Sequence, residues 1–190
     1  MPRRPIVTAA LVTLVTAMPQ ISISQHHSYG ILGQKAPRWG VADWYNLGEG
    51  VERIDVSDFE GKIVYLFGFQ AWCPGCHSHG FPTLRSVAEH YADDEDVVFV
   101  AIQTVFEGYQ VNTAQKAKST ADQFNLDIPV GHDAGNNGTG SIVMKRYRAG
   151  GTPWAIIIDR NGYVQFNGFS IEPAQAVSLI DRLLKPPAGG

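Results

Sequence analysis

The chain has 190 residues, of which 44% are hydrophobic and 17% charged, and its formal net charge is −3. That length suits one globular domain with little left for a second, and the composition excludes a disordered polymer. The acidic balance gives no general attraction to nucleic acid or an anionic membrane, and two cysteines are too few for a disulfide scaffold.

Residues 1–24 read as an export signal. Arg3 and Arg4 precede a short apolar run, Ile6 to Met18, which Pro19 breaks. Ser22-Ile23-Ser24 offers the small residues a signal peptidase reads, so cleavage is expected before Gln25. The run is shorter than the ~20 residues of a bilayer span, and an uncleaved N-terminal anchor is the alternative. No other membrane insertion is expected. An exported protein with one close cysteine pair fits a bacterial periplasm. Residues 25–50, with His26, His27 and Ala36-Pro37-Arg38-Trp39, form an N-terminal extension with a short strand or hairpin and no domain of its own.

Residues 51–187 make the main domain. Val51 to Val56 is expected as a strand, followed by a turn or short helical turn over 57–62. Ile63 to Phe69 is a buried strand by its β-branched and aromatic content. A helix is expected from Cys73 to Tyr91, with Phe81, Leu84, Val87, Ala88 and Tyr91 at helical spacing and a kink at Pro82. An acidic turn, Asp93 to Asp96, leads to a second buried strand, Val97 to Val105. Thr113 to Phe124 reads as a helix, and Ile128-Pro129-Val130 as a short strand at most. The Gly/Asn loop Asp133 to Gly140 precedes a short helix, Ser141 to Arg148, ended by Gly150 and Gly151. Trp154 to Asp159 is a strand, Arg160-Asn161-Gly162 a turn, and Tyr163 to Phe169 the antiparallel return. Ala174 to Leu184 closes the chain as a helix with Val177, Ile180, Leu183 and Leu184 inward. Alternating β and α units followed by a hairpin predict an α/β fold: a mixed sheet with helices on both faces.

The chemistry is concentrated in Trp72-Cys73-Pro74-Gly75-Cys76-His77, which holds both cysteines. Two thiols at that spacing close a small ring if a helix begins between them. Unpaired N–H groups at a helix N-terminus favour S⁻ over SH, so the pattern points to reversible two-electron thiol chemistry. Cys73-x-x-Cys76-His77 also matches the attachment pattern of c-type haem. A helix start behind a buried strand, and the Pro74-Gly75 turn, argue against haem, and the second axial ligand would have to be Met144 or a remote histidine. Cys73, Cys76, His77 and His79 are soft ligands, but one helix does not wrap four of them around zinc; copper(I) accepts fewer. No metal is assigned.

The segments Phe69-Gln70-Ala71-Trp72-Cys73-Pro74-Gly75-Cys76 and Gly151-Thr152-Pro153-Trp154, in this element order, resemble the thioredoxin fold. Ala36-Pro37 and Phe59-Glu60-Gly61-Lys62 bring the chain nearer to exported thioredoxin-like proteins of the TlpA and redoxin type. The resemblance covers about residues 33–185 and implies a three-layer sandwich with a mixed central sheet. It also implies a thiol:disulfide oxidoreductase, preferably a reductase, whose only redox group is a Cys73–Cys76 disulfide, with no cofactor. Cys73 would be the exposed nucleophile and Cys76 the buried resolving thiol. Pro153 would be cis beside them, the backbone of Thr152 would pair with an extended substrate, and Trp72 would cover the disulfide. The implied partners are disulfide-containing or dithiol proteins and a redox partner protein.

Two departures mark this chain. Phe67 stands where thioredoxins carry a buried acid. His79 stands where some TlpA-like reductases place a glutamate, which makes His79 the candidate acid/base group, with Glu107 a weaker one. His77 follows the cysteine pair as in some disulfide isomerases, where a cation would favour the Cys73 thiolate. Redoxin-type sequences include peroxiredoxins, but Gln70 occupies the position of their motif threonine, and the motif proline is missing. A thiol peroxidase and a copper-binding or cytochrome-maturation accessory protein are therefore the alternatives.

Overall fold

The computed structural model describes residues 29–185; the segment expected as an export signal, His26 and His27 lie outside the described residues. Six strands form one sheet: β1 (Asp43–Tyr45), β2 (Ile63–Phe69), β3 (Val97–Thr104), β4 (Val130–Asp133), β5 (Trp154–Ile158) and β6 (Val164–Gly168). Their order across the sheet is β1-β4-β3-β2-β5-β6. β2 and β3 pair in parallel, as do β3 and β4, while β1, β5 and β6 pair antiparallel to their neighbours. The four α-helices are α1 (Phe81–His90), α2 (Ala114–Gln123), α3 (Ile142–Tyr147) and α4 (Pro173–Leu184).

The period-two alternation of strands divides the core in two. Tyr65, Phe67, Phe69, Ala101 and Ile157 face one side and pack with residues of α1, α2 and α4, among them Leu84, Ala117 and Ile180. Leu66, Val100, Ile102 and Ile156 face the other side, against Val143 and Tyr147 of α3 and Trp39 of the lead-in. The arrangement is the expected α/β three-layer sandwich with helices on both faces.

Several expectations are corrected. The strand expected at Val51 to Val56 is absent, and the first strand lies earlier, at Asp43–Tyr45. The cause is Asp55. Its carboxylate caps a 3₁₀ turn at Val56–Phe59 by accepting from Val56 N, and Asp58 returns the bond by accepting from Asp55 N. Asp55 also accepts from Trp39 N at 2.7 Å and Gly40 N at 3.3 Å. These local bonds compete with a sheet ladder and win. The fourth strand begins at Val130, where the expected segment ends, because it follows β3 in register from Ala101↔Val130. α3 stops at Arg148, which adopts the left-handed conformation at φ 51° itself, ahead of the two glycines expected to end the helix.

The helix after the cysteines runs from residue 74 to His90, close to the expected bounds, but it is not regular: residues Cys76–Gly80 form a π-helical turn within it, and α1 continues from Phe81. The departure from a regular helix thus falls just before Pro82, which follows in the first turn of α1.

Candidate active site

β2 delivers the chain to one rim of the sheet. A turn closed by Cys73 N–H donating to Gln70 O at 3.0 Å then hands it to the helical segment. Cys76 N–H donates to Cys73 O at 3.1 Å and also to Cys73 Sγ at 3.2 Å. The Cys73 sulfur therefore sits over the start of the helix, within hydrogen-bond reach of the Cys76 N–H.

Both cysteines are thiols, and both are buried: Cys73 is 5% exposed and Cys76 fully covered. The expectation of an exposed nucleophile is thus corrected to a relative one, since Cys73 is only the less covered of the two. Burial pushes the Cys76 thiol well above its ordinary range, and its hydrogen bond with Cys73 acts in the same direction. Cys76 is accordingly a protonated thiol at neutral pH.

Because β5 runs antiparallel to β2, its beginning meets the end of β2 through the pair Gly68↔Trp154. That register carries Thr152-Pro153 to the cysteines from about eighty positions away in sequence. The Thr152–Pro153 peptide bond is cis. The Cys73 thiol donates to Thr152 O at 3.5 Å, and Pro153 Cδ lies 3.2 Å from where a Cβ on Gly75 would stand. Trp72 is 47% exposed beside the sulfurs, and Gly108 packs near its indole.

The remaining candidates fall into three groups. Phe67, at the position of the missing acid, stacks on Phe69 and meets Phe81 edge-on. Its ring fills the space against Gly80: a Cβ there would lie 2.5 Å from Phe67 Cζ and 2.9 Å from Pro153 Cβ. His79 is on the π turn, with its side chain 63% exposed and its Nε2 3.7 Å from Glu172 Oε1. It borders a narrow pocket beneath Pro153, and none of the side-chain hydrogen bonds among the described residues joins it to a sulfur. Glu107 is exposed on the loop after β3. His77 is engaged by the backbone within its own loop. Its Nε2 lies 2.7 Å from Ala71 O, and since a carbonyl only accepts, that nitrogen carries a proton. No group of three or more metal-ligating side chains occurs among the described residues.

One residue escaped the sequence reading. Asn112, almost wholly buried, accepts from Ala71 N at 2.8 Å and donates to Gln70 Oε1 at 3.1 Å and to the carbonyls of Glu107 and Gly108. An asparagine before a helix reads as a cap, and nothing in its own neighbourhood signals that it reaches the residue two before Cys73.

Comparison with known proteins bears on this geometry. Residues 32–167 match the family model described as the AhpC/TSA family. A curated relative, the thiol-disulfide oxidoreductase ResA of Bacillus thuringiensis subsp. konkukian, is 27% identical over 133 residues, which are 70% of this chain. The chain spans 66% of the length of that relative. The ResA of Oceanobacillus iheyensis is 28% identical over 130 residues, 68% of this chain and 58% of that protein. Among solved structures, a thiol-disulfide isomerase from Corynebacterium glutamicum aligns at TM-score 0.69 with 30% identity, covering 80% of this chain and 98% of that one. A thioredoxin-like superfamily protein aligns at TM-score 0.73 with 28% identity, covering 82% and 99%.

Proposed function

The chain belongs to the AhpC/TSA family of thioredoxin-like proteins, and on that footing we propose that it is a thiol:disulfide oxidoreductase working through Cys73 and Cys76. The observation that carries this reading is the sulfur of Cys73, which accepts from Cys76 N–H at 3.2 Å and lies beside the cis Thr152–Pro153 bond. Cys73 as thiolate attacks a substrate disulfide, breaking the S–S bond and releasing one substrate thiolate. Cys76 then gives up its proton, attacks Cys73 Sγ and releases the second substrate thiolate. Two electrons pass from the dithiol to the substrate, and Cys73–Cys76 is left as a disulfide.

The buried, protonated state of Cys76 supports this division of labour, because a thiol is a poor nucleophile until it ionises. Thr152 offers backbone at the rim for an extended substrate, and Trp72 offers an exposed aromatic face beside it. The preferred direction is reduction of protein disulfides, in the periplasm after export, with a separate dithiol protein returning electrons. The substrates are disulfide-containing or dithiol proteins. The candidate export signal, the close cysteine pair and the likeness to proteins named ResA support this finer reading. Among the described residues, no helix is long and apolar enough to cross a membrane.

The test is reduction of insulin disulfides by the purified chain with a dithiol donor, together with a redox titration. Activity lost in Cys73→Ser, a mixed disulfide trapped in Cys76→Ser, and a potential well below about −200 mV establish a reductase. A potential near about −120 mV reverses the direction. Rapid peroxide consumption that depends on Cys73, with poor insulin reduction, overturns the proposal in favour of a peroxidase. His79→Gln tests the ionisable ring on the same turn. Loss of a limb in the pH–rate profile marks His79 as the acceptor of the Cys76 proton, and an unchanged profile marks it as a surface group.

A further inference from the structure

The peptide units around Ala71, two residues before Cys73, are held from both sides. Asn112 Oδ1 accepts from Ala71 N at 2.8 Å, and His77 Nε2 donates to Ala71 O at 2.7 Å. The two holding residues come from different places. Asn112 belongs to the segment leading into α2 and is itself fixed through the two N–H groups of Nδ2, which are shared among Gln70 Oε1, Glu107 O and Gly108 O. His77 follows Cys76 directly. Its ring lies against Phe81 and Phe124, which stack on each other with centroids 4.5 Å apart. The His77–Ala71 bond thus bridges the two ends of the segment that contains both sulfurs. The Asn112 bond ties the outer end of that segment to the edge of the core.

We infer that Asn112 and His77 are positioning residues that hold Cys73 over Cys76 while a substrate is attached, and so speed the second, resolving step of exchange. This rests on the exchange reading above. The physical reason is the load on Cys73. Free, it is held by its own turn to Gln70 O and by contact with Thr152. Joined to a substrate, its sulfur carries a bulky group that draws residues 71–73 away from the helix. The resolving attack needs the Cys76 sulfur in line with the Cys73–substrate bond, and a misplacement of 1 Å can cost about 100-fold in rate. The first attack comes from outside and asks only that Cys73 be ionised and reachable. The clamp therefore acts mainly on the second step.

The two steps separate in one experiment on the full chain in its reduced state. With less than one equivalent of 5,5′-dithiobis(2-nitrobenzoate), the Cys73 thiolate breaks the reagent disulfide, releases one aryl thiolate and forms a mixed disulfide. The Cys76 thiol then loses its proton to solvent, attacks Cys73 Sγ and releases a second aryl thiolate. Stopped-flow absorbance reads the two releases as two phases. In Asn112→Ala and His77→Phe the ratio of second-phase to first-phase rate constant is expected to fall about tenfold, as a fraction of an ångström of displacement implies. His77→Phe keeps an aromatic ring against Phe81 and Phe124 and removes the N–H donor, so it carries the test even if Asn112→Ala does not fold. His77→Gln, which restores a donor, is expected to recover most of the ratio. An unchanged ratio in His77→Phe, or both phases slowing in parallel, overturns the proposal. A parent chain that releases no second equivalent overturns the exchange reading instead.

Discussion

At the scale of single residues, Gly80 and Cys76 carry the clearest consequences. Gly80 has an ordinary helical backbone, so its smallness is required by close approach, to the Phe67 ring and to Pro153. Gly80→Ala is expected to cost about 1–3 kcal/mol through overpacking and to slow disulfide reduction by moving Pro153. Urea denaturation and the insulin assay check the two effects separately. Cys76 gives a pH signature. Its thiol is raised in the folded state, so the native reduced protein holds that proton where the unfolded chain has lost it. The reduced form is therefore expected to lose stability as pH rises above about 8.5, the ordinary cysteine value, while the oxidised form lacks this loss. Buried tyrosines such as Tyr65 and Tyr147 are present in both forms, so the difference between the two forms isolates the cysteine pair. Cys73, Cys76, Trp72 and Pro153 were legible in the sequence because short motifs hold them. Asn112, Gly80 and the His77 clasp were not, because each depends on a partner that only the folded chain brings near.

At the scale of elements, the expected single helix from Cys73 to Tyr91 proves to be a π turn joined to an α-helix. The extra residue in that turn sits between the cysteines and the apolar face of α1, which places Phe81 and Leu84 in the core while His77 reaches back to Ala71. Periodicity alone does not distinguish such a turn from a kink at Pro82. The lead-in shows a second limit of local reading. The segment Val51 to Val56 is expected as a strand, yet Asp55 gathers the N–H groups of Trp39, Gly40 and Val56. Asp55→Ala leaves these groups short of an acceptor and is expected to cost about 1–3 kcal/mol, measured by urea denaturation. On β4, His132 Nδ1 accepts from Gln103 Nε2 at 2.9 Å. Burial holds the imidazole below its usual pKa, against the opposing pull of Asp43 and Asp133. The unfolded chain then binds the proton more readily, so stability is expected to fall as pH drops below about 6.5. His132→Gln is expected to flatten that dependence in urea midpoints between pH 7 and 5.

At the scale of the whole molecule, the strand order places β2 between β3 and β5, with β4 and then β1 outside β3, and β6 outside β5. Amide exchange is expected to be slowest in β2, β3 and β5 and fastest in β1 and the lead-in, as measured by mass spectrometry of exchanging protein. Fast exchange throughout β2 would contradict the sheet as described. The α/β alternation and the terminal hairpin were readable from the sequence, since each element is set by its own pattern. The pairing of β1 with β4 was not, because Asp43↔His132 joins segments with no shared local signal.

The short span between the two sulfurs has one last consequence. Closing a ring over so few residues removes little freedom from the unfolded chain, about 2 kcal/mol by loop entropy, against nearly 5 kcal/mol for a hundred-residue loop. Opening and closing that bond therefore changes what the molecule can donate or accept far more than it changes whether the molecule stays folded.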